Sequence, residues 1–133
     1  MTNFSQEEYI AYRIKRARES IEEVETHLNN GYWNTAVNRM YYACFYAVTA
    51  LLAQNHIVTG SHSGVRQKFG ELYVKTSVID RETAKLFTEL FEKRQKGDYN
   101  DFFDFDENTA RILYPGAKSF IEKIELLVNN QKG

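Results

Sequence analysis

Proline, cysteine and tryptophan each occur once in the 133 residues, and glycine seven times. The single cysteine, Cys44, excludes a disulfide framework and any paired-thiol redox or metal site. With so few prolines and glycines, and no stretch alternating polar with β-branched residues, sheet architectures are excluded and helix is expected throughout. Neither sign of charge is in excess: 17 basic against 18 acidic residues leave a formal charge of −1. That excludes a dedicated duplex-DNA binder with a large positive field and leaves room for a local basic cleft. No apolar run reaches the roughly 20 residues of a membrane span. The opening residues Met1 to Ser5 have neither the basic nor the apolar segment of a signal peptide, so a cytoplasmic protein with no membrane contact is expected. P-loop, GxGxxG, HExxH and GxSxG motifs are absent. The histidines, His27, His56 and His62, are scattered, so neither a metal nor a cofactor is expected.

What is present is a chain long enough for one domain, residues 1–133, able to bury roughly 68% of its unfolded surface. Its most apolar stretch is Met40 to Ala53, MYYACFYAVTALLA, interrupted only by Thr49. As a helix it is apolar on every side and has to be surrounded. It is expected to touch two neighbours in its own chain and to offer a third face to a subunit interface. Cys44 falls within it as a small packed residue.

The remaining elements follow from caps and periodicity. Ser5 and Glu8 form a capping box opening a first helix, whose stripe is Ile10, Ile14, Ala17, Ile21, Val24 and Leu28. Asn29, Asn30 and Gly31 end it, making the second helix, Trp33 to Gln54, an antiparallel neighbour. Ser61 caps a third carrying Val65, Phe69, Leu72 and Tyr73 inward and ending near Lys75. Asp80 caps a fourth with Ala84, Phe87, Leu90, Phe91 and Arg94 on one face, stopped by Gly97. Asp98 to Asp106 reads as an acidic, aromatic loop whose Phe102, Phe103 and Phe105 either tuck under the bundle end or form a contact surface. Asp106 caps a fifth helix to about Asn129, with a kink expected near Arg111 to Leu113 because Pro115 lacks an amide donor. The fold class is therefore all-α, an up-and-down bundle of four or five helices.

The candidate chemistry lies at helix ends facing the apolar centre. Arg94 ends an apolar face just before Asp98 and Tyr99: it either holds Asp98 in a bidentate pair or binds a phosphate. Arg39 either points into the same cleft or is a solvated helix-end residue. His62 and Arg66, one turn apart, are either a cap neighbour and a surface charge or the lining of an anion site at a helix N-terminus. Tyr42 and Tyr46 read as core and interface.

The blocks Asn38-Arg39-Met40-Tyr41-Tyr42-Ala43-Cys44-Phe45-Tyr46, His62-Ser63-Gly64-Val65 with Phe69, and Phe91-Glu92-Lys93-Arg94-Gln95-Lys96-Gly97-Asp98-Tyr99, in this order, resemble the HEPN domain family, in its small stand-alone prokaryotic branch. The resemblance spans about residues 5 to 128. It implies a helical bundle, a homodimer, and pairing with a small nucleotidyltransferase in toxin-antitoxin or defence modules. Many HEPN proteins are metal-independent ribonucleases with an arginine, four to six residues, then a histidine. Here Arg94 matches the arginine and a four-residue gap falls on Tyr99, with no histidine after His62. Cleavage by 2′-hydroxyl attack needs a base and an acid titrating near neutrality, and tyrosine, at about 10, does not supply them. The expectation is a module that binds nucleotide or RNA phosphate through Arg94, Arg39, His62 and Arg66 with weak or no catalysis. The alternatives are a ribonuclease toxin using Arg94 with Asp98 or Tyr99, and a non-enzymatic interaction scaffold.

Overall fold

The computed structural model describes residues 5–100 and 103–130. It is an all-α bundle of four long helices, α1 (Gln6–Asn29), α2 (Trp33–Gln54), α4 (Arg81–Tyr99) and α5 (Glu107–Asn130), with a short α3 (His62–Phe69) packed on α2. The caps are made by the expected side chains. Ser5, Ser61, Asp80 and Asp106 accept from the amides of Glu8, Gly64, Thr83 and Thr109 at 3.1, 3.0, 3.1 and 2.7 Å. At the end of α1, Gly31 takes φ +75°. The amides of Gly31 and Tyr32 bond back to Leu28 and His27, a reversal that turns the chain directly into α2.

The helix α2 is the axis, packed against α1, α3, α4 and α5. Four neighbours of its own chain surround it, rather than the two expected from sequence, because the alanines at 43, 47 and 50 are fully buried and let other backbones come close. Its one partly open side carries Tyr42, Phe45, Tyr46 and Thr49. Cys44 is buried, and burial pushes its thiol well above the ordinary range, as suits a packing residue.

Three local expectations are corrected. Gly97 does not stop α4, which continues through Asp98 to Tyr99. A Cβ at Gly97 would stand 3.0 Å from the Phe105 ring, so the glycine serves close approach and not termination. Consequently Asp98 and Tyr99 are helical rather than part of the loop. Leu72 does not face inward and is 37% exposed. After Phe69 the helix widens into a π turn, Gly70–Val74, with Lys75 N–H bonded to the Gly70 carbonyl at 2.8 Å. The extra residue rotates Tyr73 inward and Leu72 outward.

The helix α5 runs through Pro115 without interruption. In the 103–106 connection Phe105 is buried and Phe103 half-buried, stacked edge-on at 4.9 Å. Asn34 holds them, donating to the Phe103 carbonyl at 3.0 Å and accepting from the Phe105 amide at 2.8 Å. These two rings thus tuck under the bundle end; Phe102 lies outside the described residues. Among those residues no helix is long and apolar enough to cross a membrane.

Candidate functional site

On the open side of α2 the periodicity of two helices brings polar groups together. Arg94 lies one turn after the half-buried Phe91 and the buried Leu90 on α4, so the register that turns those side chains toward the core also draws the arginine inward. It is 6% exposed and one of two buried polar or charged residues among those described. Its guanidinium carbon sits 4.9, 5.4, 5.5 and 5.9 Å from the ring centres of Tyr41, Tyr42, Phe91 and Tyr99. Nη1 donates to the Tyr42 hydroxyl at 3.2 Å. Asp98, one turn on, is 3.7 Å from the same nitrogen, an ion pair through one contact rather than the bidentate pair. Nε is buried and has no hydrogen-bond partner among the described residues. The cation in this aromatic box thus keeps donor capacity to spare.

Arg39 also lies over Tyr42, 5.1 Å from its ring centre, and donates from Nε and Nη2 to the Asn38 side-chain carbonyl. Asn38 in turn donates to Asp98 Oδ2 at 2.9 Å. One asparagine therefore ties the two arginine sites together. Arg66 stacks on Phe91 at 3.8 Å with its own Nε buried and unpartnered.

His62, the first residue of α3, reaches the same cluster from the far side. Its ring stacks on Phe45 at 4.5 Å, and Nδ1 is 2.6 Å from the hydroxyl of the fully buried Tyr41. Burial, with Arg94 and Arg66 nearby, lowers the His62 pKa below its ordinary 6.5, so the ring is neutral at pH 7. Burial also raises the Tyr41 phenol, so it stays protonated and shares a hydrogen bond with Nδ1. Nδ1 of His62 is therefore engaged by Tyr41 whichever ring nitrogen carries the proton.

All six residues singled out from sequence, Arg39, His62, Arg66, Arg94, Asp98 and Tyr99, are thus gathered around the rings of Tyr41, Tyr42 and Phe91. Among the described residues, Arg94 is the one of the three arginines paired with a carboxylate, Asp98. Sequence reasoning missed Asn38, and it missed Tyr41 and Phe91 as walls of the box. The i, i+3 spacing of Asn38 and Tyr41 on α2, and of Phe91 and Arg94 on α4, was the available signal. Among the described residues no cluster of histidine, cysteine and carboxylate side chains has the arrangement of a metal site.

The comparisons with known proteins agree with this architecture. A UPF0332 protein of Thermotoga maritima is 36% identical over 126 residues, covering 95% of this chain and 96% of its own. Two Methanocaldococcus jannaschii proteins named as candidate toxins are 33% identical over 83% of this chain and 75% of theirs, and 29% identical over 89% and 87%. The crystal structure of TT1696 from Thermus thermophilus superimposes with a TM-score of 0.74 over 87% of this chain and 95% of the other, at 15% identity, a likeness of fold alone. The HEPN domain family matches residues 10–127, from the first turns of α1 to the last turn of α5. The chain belongs to the HEPN domain family.

Proposed function

We propose that this HEPN domain binds the phosphate of a nucleotide or RNA at Arg94, with Arg39, Arg66 and His62 completing a donor-rich rim. The observation that carries the reading is the buried Arg94 guanidinium, boxed by four rings, with Nε unpartnered. A purely structural arginine in that position would bring its remaining donors to protein acceptors. Tyr42 and the 71% exposed Tyr99 offer ring faces for a base. Homodimerisation and pairing with a nucleotidyltransferase belong to the same proposal, supported by the family resemblance. Copurification with such an enzyme tests them.

A second reading, a ribonuclease toxin, is favoured by the names of the two M. jannaschii relatives. In it a base takes the 2′-hydroxyl proton, O2′ bonds to phosphorus, the P–O5′ bond breaks, and an acid protonates O5′. Arg94 would hold the phosphate, leaving Asp98 and Tyr99 as the candidate base and acid. Asp98 is already bonded to Asn38 and paired with Arg94, and His62 Nδ1 is already bonded to Tyr41. The geometry therefore favours binding over cleavage.

Both readings are tested by incubating labelled RNA with the protein in EDTA, wild type beside Arg94→Ala, with circular dichroism confirming the fold. Binding that is lost in the variant, without cleavage by either protein, supports the first. Cleavage lost in the variant supports the second. Equal affinity for the two proteins refutes a role for Arg94.

A further inference from the structure

The Arg94 box opens onto a second group of arginines from α1. Tyr42 and Tyr46, one turn apart on α2, have ring centres 6.2 Å apart and are both half-buried. Arg13 and Arg16 each place a guanidinium 5.5 Å from the Tyr46 ring centre. Arg13 also sits 5.2 Å from the Tyr9 ring and donates to the Tyr9 hydroxyl at 3.1 Å. Beyond it lies a hollow of about 660 Å³ lined by Glu8, Tyr9, Tyr12 and Arg13, with Tyr12 58% exposed. Rings and guanidiniums therefore form a continuous row, Arg94, Tyr42, Tyr46, Arg13, Tyr9, with Arg39 and Arg16 alongside.

Among the described residues the carboxylates that meet this row are Asp98, 3.7 Å from Arg94, Glu19, 3.5 Å from Arg16, and Glu8 at the rim of the hollow. Packing of α1 on α2 does not require the row, since the apolar seam from Ile10 to Leu28 already joins them. Two like charges over one ring, with two more over the next, repel one another in a chain whose net charge is −1. A polyanion with regularly spaced phosphates and stackable bases relieves that repulsion.

We infer that the α1–α2 face, through Arg13, Arg16, Tyr46 and Tyr9, is an extended subsite for single-stranded polynucleotide leading away from the Arg94 phosphate site. The inference rests on the phosphate-binding reading of Arg94 and narrows its ligand from a nucleotide to a strand.

The test compares adenosine monophosphate with RNA and DNA octanucleotides, measured by calorimetry and fluorescence anisotropy over a range of salt. Wild type is set beside Arg94→Ala and Arg13→Gln/Arg16→Gln, whose shortened stems still cover Tyr46. A Lys85→Gln/Lys118→Gln control removes the same charge from exposed positions on α4 and α5. The arginine pair is expected to weaken octanucleotide binding roughly tenfold relative to its effect on the monophosphate. It should also reduce the salt slope by about 0.7 for each phosphate that is no longer neutralised. The lysine control is expected to do neither, and whichever polymer shows the effect identifies the strand as RNA or DNA. Equal effects of the arginine pair on monomer and octamer, or an equal effect from the lysine control, would overturn the extended subsite while leaving the Arg94 reading intact. If Arg94→Ala changes no affinity, the underlying phosphate reading fails instead.

Discussion

Replacing Arg94 by methionine separates a structural arginine from a ligand-binding one. The guanidinium is 6% exposed yet makes one hydrogen bond, to Tyr42 at 3.2 Å, and has Asp98 at 3.7 Å. Withdrawing such a charge from water costs several kcal/mol even after relaxation. Against this stand a charge-assisted hydrogen bond, about 1.5–3 kcal/mol, and the ring contacts, about 0.5–2 kcal/mol. These terms roughly cancel. Methionine keeps the apolar stem packed against Phe91 and Tyr41, while Tyr42 and Asp98, both reached by solvent, exchange the arginine for water. The expected variant is therefore between neutral and about 2 kcal/mol more stable, a rise of up to about 1 M in the urea midpoint at unchanged m. It should also lose its affinity for RNA. The assay is urea unfolding followed by circular dichroism, paired with anisotropy on labelled RNA. A loss of more than about 2 kcal/mol would show that Arg94 is held for folding, and a stable variant that still binds would remove it from the site.

Three further outcomes follow from the same packing. His62 is depressed below its ordinary 6.5, so between the folded value and 6.5 the unfolded chain binds the extra proton. Its contribution to stability is thus present above about pH 6.5 and lost as pH falls through the folded value. Urea midpoints between about pH 7 and 5 should drop for the wild type and flatten for His62→Gln; identical profiles would refute the assignment. Asn34→Ala leaves the Phe105 amide without its acceptor and should cost about 1–3 kcal/mol, with faster hydrogen exchange at Phe105 as the readout. Gly97→Ala drives a methyl against the Phe105 ring, 3.0 Å away, and should cost about 1–3 kcal/mol in the same unfolding assay.

Much of the site's membership was legible because it sits at the ends of helices with clear periodicity. Arg94 belongs to the apolar face of α4, and that face had to be buried, so the arginine's approach to the centre followed. Arg39 stands at the start of the most apolar run in the chain, and Ser61 marks where α3 begins, hence where His62 emerges. The expected stop at Gly97 failed because a glycine near a helix end carries the same local signal whether it terminates the helix or admits a neighbouring ring. The expected inward Leu72 failed because a π turn depends on the fit of Tyr73 under α2, where Asn55 and the Leu51 carbonyl take its hydroxyl. No spacing rule within Gly70–Val74 contains those partners.

By itself the sequence determined a helical domain, the caps at Ser5, Ser61, Asp80 and Asp106, the buried axis along α2 and the place of Cys44. All of these depend on side-chain period and on contacts within one turn, which are properties of neighbouring residues. Only the tertiary structure decided that Arg94 meets four rings with Nε unpartnered among the described residues, that Tyr41 meets Nδ1 of His62, and that Arg13 and Arg16 extend the row from α1. Each of those joins residues from different helices, and the crossing of α1, α3 and α4 over α2 is chosen by how their side chains interlock. A periodicity states which face of a helix is buried. It does not state which residue on another helix lies opposite, and that pairing is what places the cations of this HEPN domain around one open aromatic face.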